Sequence, residues 1–149
     1  MAAELFFVDT NVLLASSDPR RATHLAALAV FNDWPGRGIV LHASGQILRE
    51  YLVVATRPRP SNGLGLPQMD AVANLTAFRD RVCFLAEDAR VADRLGDLLL
   101  RTACTGKQIH DANVVATMLV HGIKNLVTSN VEDFERFSDR VTVHSLTEP

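Results

Sequence analysis

A chain of 149 residues, 48% hydrophobic and 21% charged, has enough apolar material for one packed core and too much for a disordered tail. Its formal net charge of -2 excludes nucleic-acid binding driven by the field of the whole molecule; a polyanion partner requires a local basic patch or a bound cation. No apolar run reaches the length of about 20 residues that spans a bilayer, and the opening MAAELFFVDTNVLL carries acids where a secretory leader has none, so the expectation is a soluble, cytoplasmic protein.

In chain order, Leu5 to Val8 (LFFV) reads as a strand buried on both faces, stopped by Asp9-Thr10-Asn11, all residues that favour helix N-caps. A short helix starts over Val12 to Ser16, Asp18-Pro19 breaks it, and Arg20 to Trp34 resumes at helical spacing until Pro35-Gly36. Gly38 to Leu41 (GIVL) predicts a second buried strand, after which Ser44 is placed to cap a helix running to about Thr56. Arg57 to Pro67, rich in Pro and Gly, is a loop. A helix over Gln68 to Arg79, a third strand over Val82 to Leu85 and an Asp88-capped helix to about Ala103 follow. Gly106 interrupts, and a helix from about Gln108 ends at Gly122. Asn125 to Thr128 is a fourth strand, Val131 to Phe137 a helical turn, and Val141 to His144 a fifth strand suited to a sheet edge.

Strands alternating with helices imply an α/β fold, a central, mainly parallel sheet of about five strands covered on both faces, in one domain over 1–149. Cys83 and Cys104 lack metal-ligand spacing and fall in apolar surroundings, so both are expected as buried free thiols.

Ligands in such sheets bind beyond the carboxyl ends of the strands. Asp9 follows the first strand, Asn130 follows the fourth with Asp133 one turn on, Glu50 lies in the helix after the second, and Asp111 opens the helix before the fourth. Each has a local explanation: capping for Asp9, a solvated helix acid for Glu50, charge at a helix N-terminus for Asp111, a turn or cap for Asn130, a cap or surface acid for Asp133. Their apolar flanks argue for more. Carboxylates turned toward a core are costly unless paired, and gathered carboxylates repel. A hard divalent cation, Mg2+ or Mn2+, relieves both costs and suits oxygen donors.

The segments VDTNVLL, ILREYLVVATRP and KQIHDANVVATMLVHGIKNLVTSNVEDF, in that order, resemble the PIN domain, most closely VapC-type toxins of bacterial toxin–antitoxin pairs. The resemblance runs from about Leu5 to His144 and implies a PIN-like α/β/α sandwich with metal-dependent endoribonuclease activity. It places the family's acids on Asp9, Glu50 and Asp111, with Asp9 and Asp111 as metal ligands and Thr10 supporting the site. Its fourth position falls on Asn130, where many members carry Asp, with Asp133 close by. It further implies an RNA substrate (tRNA, rRNA or mRNA), a small antitoxin partner and a homodimer. Arg49, Arg57 and Lys107, with Arg59 in the loop, are candidates for RNA contact. Leu13, Leu14, Leu52 and Val53 are either core or a surface for an antitoxin helix. An RNA-processing nuclease without antitoxin, or a degenerate PIN domain serving as a binding module, are the alternatives.

Overall fold

The computed structural model describes residues 2–147, so the extreme ends of the expected 1–149 span lie outside the described residues. The elements are β1 (Glu4–Val8), α1 (Thr10–Ser17), α2 (His24–Asn32), β2 (Ile39–Ser44), α3 (Gly45–Thr56), α4 (Gln68–Arg81), β3 (Cys83–Leu85), α5 (Ala89–Arg101), α6 (Gln108–Val120), β4 (Asn125–Thr128) and β5 (Thr142–Ser145). Short 3-10 turns occupy Pro35–Arg37, Arg59–Ser61 and Val131–Phe137. The strands form one five-stranded sheet in the order β3-β2-β1-β4-β5, every pair parallel. This is the expected α/β/α arrangement, with β5 at an edge as its weaker apolar character suggested. Among the described residues no helix is long and apolar enough to cross a membrane.

Strand order places the site. From β1 the chain moves outward through β2 to β3, then crosses back to β4 and β5 on the other side. The order reverses between β1 and β4, and the crevice beyond their carboxyl ends is where ligands bind in open α/β sheets. Asp9 and Thr128 stand at that crevice. Beneath it, Phe7, Val8, Leu126 and Val127 are fully buried, as are Val12 and Leu13 of α1 and Ala112, Val115 and Ala116 of α6. Tyr51, next to Glu50 on α3, is also fully buried. Its hydroxyl lies 2.8 Å from Ser17 Oγ on α1 and accepts from Asn74 Nδ2 of α4 at 3.0 Å. Those contacts fix the helix that carries Glu50 against its neighbours.

Several boundaries differ from expectation for identifiable reasons. β2 runs on to Ser44 because His42 is buried in it, its Nδ1 within 3.2 Å of the carbonyls of Phe6 and Val40. α2 begins only at His24: Asp18 accepts the Arg20 backbone N–H and guanidinium and its carbonyl takes the Arg21 N–H, holding 18–21 in a turn. Ser44 occupies the N-cap position of α3 but makes no capping hydrogen bond, and its Oγ is buried without a partner. Asp88 does cap α5, accepting the Arg90 N–H. The expected burial of Cys83 is overturned: it lies exposed on β3, an edge strand only partly covered, while Cys104 is half-buried. Leu13 and Leu14 are core residues rather than a docking surface, whereas Val53 is 57% exposed and Leu52 half-buried.

The loop at 57–67 closes the end of α3. The N–H groups of Leu64, Gly65 and Leu66 return to the carbonyls of Val54, Arg57 and Ala55, satisfying groups that a helix C-terminus leaves open. Gly63 is pressed against this end, so that a Cβ on it lies 2.0 Å from the Arg57 carbonyl oxygen. Backbone cannot yield as a side chain does. Gly63→Ala is therefore expected to destabilise the protein by about 2–3 kcal/mol in chemical denaturation; a loss below about 0.5 kcal/mol in that measurement removes the close approach as a constraint.

Candidate metal centre

Asp9 is 8% exposed at the end of β1. It caps α1 and stands at the crevice of the switch point. Its Oδ1 accepts the Thr10 N–H at 2.8 Å, while Oδ2 accepts Thr128 Oγ1 at 2.8 Å and Asn11 Nδ2 at 3.2 Å. Asn11 also donates to Thr128 Oγ1 and receives the Ser129 N–H, and Thr128 Oγ1 takes the N–H of Asn130. The ends of β1 and β4 are thus laced together at the switch point. Thr10 reaches the other way, its hydroxyl donating to Glu50 Oε2 at 2.9 Å. The second carboxylate oxygen of Glu50, Oε1, accepts Gln46 Nε2 at 3.0 Å.

Asp111 stands in the first turn of α6, half-buried, with no hydrogen bond to its carboxyl among the described residues. Burial raises it, and the charges of Asp9, Asp133 and Glu50 add to that, so that it is pushed up to about 7; Arg136 pulls weakly the other way. Burial likewise pushes Asp9 up to about 6 against the lowering effect of the Thr128 and Thr10 hydrogen bonds, with Glu50 contributing to the rise. Asp9, Glu50, Asp111 and Asp133 therefore share one electrostatic neighbourhood drawn from four parts of the chain. Asp133 is exposed in the turn after β4. Asn130, exposed before it, enters the network through its backbone N–H, not its side chain.

No ion pair reaches the cluster among the described residues, where the pairs lie at Asp18, Asp88 and Asp139, and the charge of Arg136 offsets the rise of Asp111 only in part. Acids gathered and partly desolvated without a partner carry an electrostatic cost that a cation removes. Among the described residues no three His, Cys, Asp or Glu side chains stand close enough together to hold a metal ion by themselves. Two carboxylates do suit an ion such as Mg2+, which keeps several of its waters. The donor set, all oxygen and net negative, fits a hard divalent cation.

An open groove of about 450 Å3 adjoins the acids, sharing Thr10 and Glu50 with them. Arg49, Arg57 and Lys107 line it, with Val53 and Val54 as its apolar wall. His110 joins them, a residue the sequence did not single out. Arg59 lies apart, in a different hollow with Asp18 and Arg21.

Fold and site together define an α/β/α domain with a carboxylate-lined crevice at the switch point of its sheet. The profile of the PIN domain family matches residues 6–139, and the chain belongs to that family. Among curated proteins, Ribonuclease VapC24 of Mycobacterium tuberculosis is 29% identical over 136 residues, covering 87% of this chain and 89% of that protein. The fold is shared with VapC20 of Mycobacterium tuberculosis, a sarcin-ricin loop cleaving toxin (TM-score 0.61, 22% identity, 92% of this chain and 96% of that one). It is shared too with DNA-bound VapBC from Salmonella typhimurium (TM-score 0.67, 19% identity, 98% and 99%).

Proposed function

We propose that the chain is a metal-dependent endoribonuclease, the toxin of a VapBC-type toxin–antitoxin pair. The observation that carries this reading is the acid cluster without an ion pair, with Asp9 buried at the switch point and its charge felt by Asp111 of α6, in a PIN domain whose curated relative is a ribonuclease. Asp9 and Asp111 are the residues to hold Mg2+ or Mn2+, with Asn130 and Asp133 at the rim. When bound, the cation supplies positive charge and Lewis acidity toward a phosphodiester.

The protein's own residues supply the rest. Glu50, fixed by Thr10 on one oxygen and Gln46 on the other, is oriented to take a proton from the attacking water as its oxygen bonds to phosphorus and the ester P–O bond breaks, the leaving ribose oxygen taking a proton from solvent. Thr128 and Asn11 hold Asp9 in place. Arg49, Arg57 and Lys107 give the local basic surface that a net charge of -2 requires of a protein binding RNA, and the groove they line leads an RNA strand to Glu50. Open grooves of this kind suit unpaired loops, whose phosphates and bases are accessible. The same reading gives the protein a small antitoxin, an arginine of which is a chemically apt inhibitor of the acid cluster, and a homodimeric assembly.

The test is incubation of the purified protein with total RNA in Mn2+ or Mg2+ and in chelator, with sequencing of the new ends. Cleavage at a limited set of positions, lost in chelator, is expected. An unchanged RNA profile in every metal overturns the reading.

A further inference from the structure

We infer that Gln46 is a positioning residue for the site, set in place by Glu87 and Asn113, and that this relay fixes Glu50 relative to Asp111; the inference rests on the nuclease reading above. Glu50 and Asp111 sit on different helices, α3 and α6, and neither contacts the other through the backbone pairing of the sheet. Gln46, 4% exposed, joins them. Its Nε2 donates to Glu50 Oε1 at 3.0 Å and to the carbonyl of His110, in the peptide leading into Asp111, at 2.9 Å. Its Oε1 accepts Asn113 Nδ2 at 2.7 Å. All three positions of the amide are used, and both acceptors lie on one side with the donor on the other, so only one orientation of the amide satisfies them.

Glu87 anchors the relay. It follows β3, at the same carboxyl edge of the sheet as Asp9. Its Oε1 accepts the backbone N–H of Gln46 at 2.8 Å and its Oε2 lies 3.3 Å from Asn113 Nδ2. Glu87 thereby takes an N–H in the first turn of α3, which Ser44 at the N-cap leaves unserved, and places a negative charge where a helix N-terminus favours one. The result is a continuous set of hydrogen bonds from the end of β3 through the start of α3 to the first turn of α6. With Thr10 holding Oε2, Glu50 is gripped on both oxygens, which removes the rotamer freedom a half-buried Glu otherwise has. Partners of this kind, one step removed from a metal site, typically change affinity or activity by roughly 10–100-fold when lost.

The test uses Gln46→Met, which keeps length and packing but neither hydrogen-bonding group, in the wild-type and Glu50→Ala backgrounds. Cleavage of a short RNA oligonucleotide and calorimetric binding of Mn2+ are both read. The expected result is a roughly tenfold fall in kcat with KM within about twofold, and Mn2+ binding weakened by about fivefold. In the Glu50→Ala background the further fall in kcat is expected to vanish. Wild-type kcat and Mn2+ affinity in folded Gln46→Met, or the same fall in kcat in both backgrounds, overturns the inference while leaving the nuclease reading standing. A folded wild-type protein that neither binds Mn2+ nor cleaves RNA overturns the reading and the inference with it. Should Gln46→Met fail to fold, Asn113→Ala, which releases the Gln46 carbonyl without touching Glu50, is expected to lower kcat by a few-fold at unchanged KM, and wild-type kcat there overturns the relay.

Discussion

Asp9→Asn is expected to lower RNA cleavage by roughly a hundred- to a thousandfold while the protein remains folded. The fold tolerates the change because the new amide keeps most of what the carboxylate does. With its oxygen in the place of Oδ2, an Asn still accepts from Thr128 Oγ1 and Asn11 Nδ2, since Thr128 Oγ1 already accepts two hydrogen bonds and serves only as a donor here. Only the contact with the Thr10 N–H becomes donor against donor, a loss of about 1 kcal/mol. Function does not tolerate it, because the neutral amide removes a buried negative charge from the one place where it faces Asp111 and Glu50 together. A metal held by two carboxylates loses half of its charged protein ligands. The measurement is single-turnover cleavage of a short oligonucleotide in Mn2+ with matched circular dichroism spectra. Cleavage at the wild-type rate by the variant removes Asp9 from the chemistry.

Much of this was legible in the sequence, and what was missed divides by physical cause. The apolar runs LFFV and NLVT marked strands because a parallel sheet buried on both faces needs them, and VCFL marked one although β3 is a largely exposed edge strand. β2 was cut short because His42 interrupts its apolar run, and a buried histidine satisfied by backbone carbonyls leaves no trace in a hydropathy pattern. The acids Asp9, Glu50 and Asp111 were legible by position, through the rule that sites gather at the carboxyl edge. The same rule points at Glu87 after β3 and at Thr128 ending β4, and both carry hydrogen bonds that hold the cluster. Gln46 had a weaker sign: it stands four residues before Glu50, the spacing at which helical side chains meet. Asn113 had none, since its partners come from α3 and the loop after β3. Arg136, whose charge reaches Asp111, was equally hidden, because its place depends on how the turn after β4 packs. Asn130 was legible as a position but not as a contact: its backbone, rather than its side chain, serves the network.

The charge that function requires is one the metal-free fold disfavours, and stability should record it. Asp9 has an ordinary value of 3.8 and is raised to about 6 in the folded protein. Below the lower value the group is protonated in both states and contributes nothing to pH dependence. Between the two the folded state holds a proton that the unfolded state has released, so stability falls as pH rises through this window. Above about 6 the penalty is complete, and a shift of this size corresponds to about 3 kcal/mol. Asp111, raised to about 7, extends the fall toward neutral pH, but its rise shares the Asp9 repulsion and is not counted again. Other carboxylates titrate in the same range, so the clean quantity is the difference between wild type and Asp9→Asn in chelator. The two are expected to be within about 1 kcal/mol at pH 4 and to separate until the variant is the more stable by about 2 kcal/mol at pH 7.5, the lost Thr10 contact accounting for the shortfall. In a domain of this size that is a Tm gap of about 4–8 °C. Mn2+ at a hundred times its Kd should then raise the wild type by about 2.7 kcal/mol at pH 7.5, closing or reversing the gap, while the variant gains much less. At pH 5 the same ion should gain less, because it must displace protons from Asp9 and Asp111 before it binds. Differential scanning calorimetry across pH 4–8, with and without Mn2+, reads all of these at once. A variant no more stable than wild type at pH 7.5 means that the Asp9 carboxylate is already compensated within the protein, and the case for a cation there then fails on the fold's own terms.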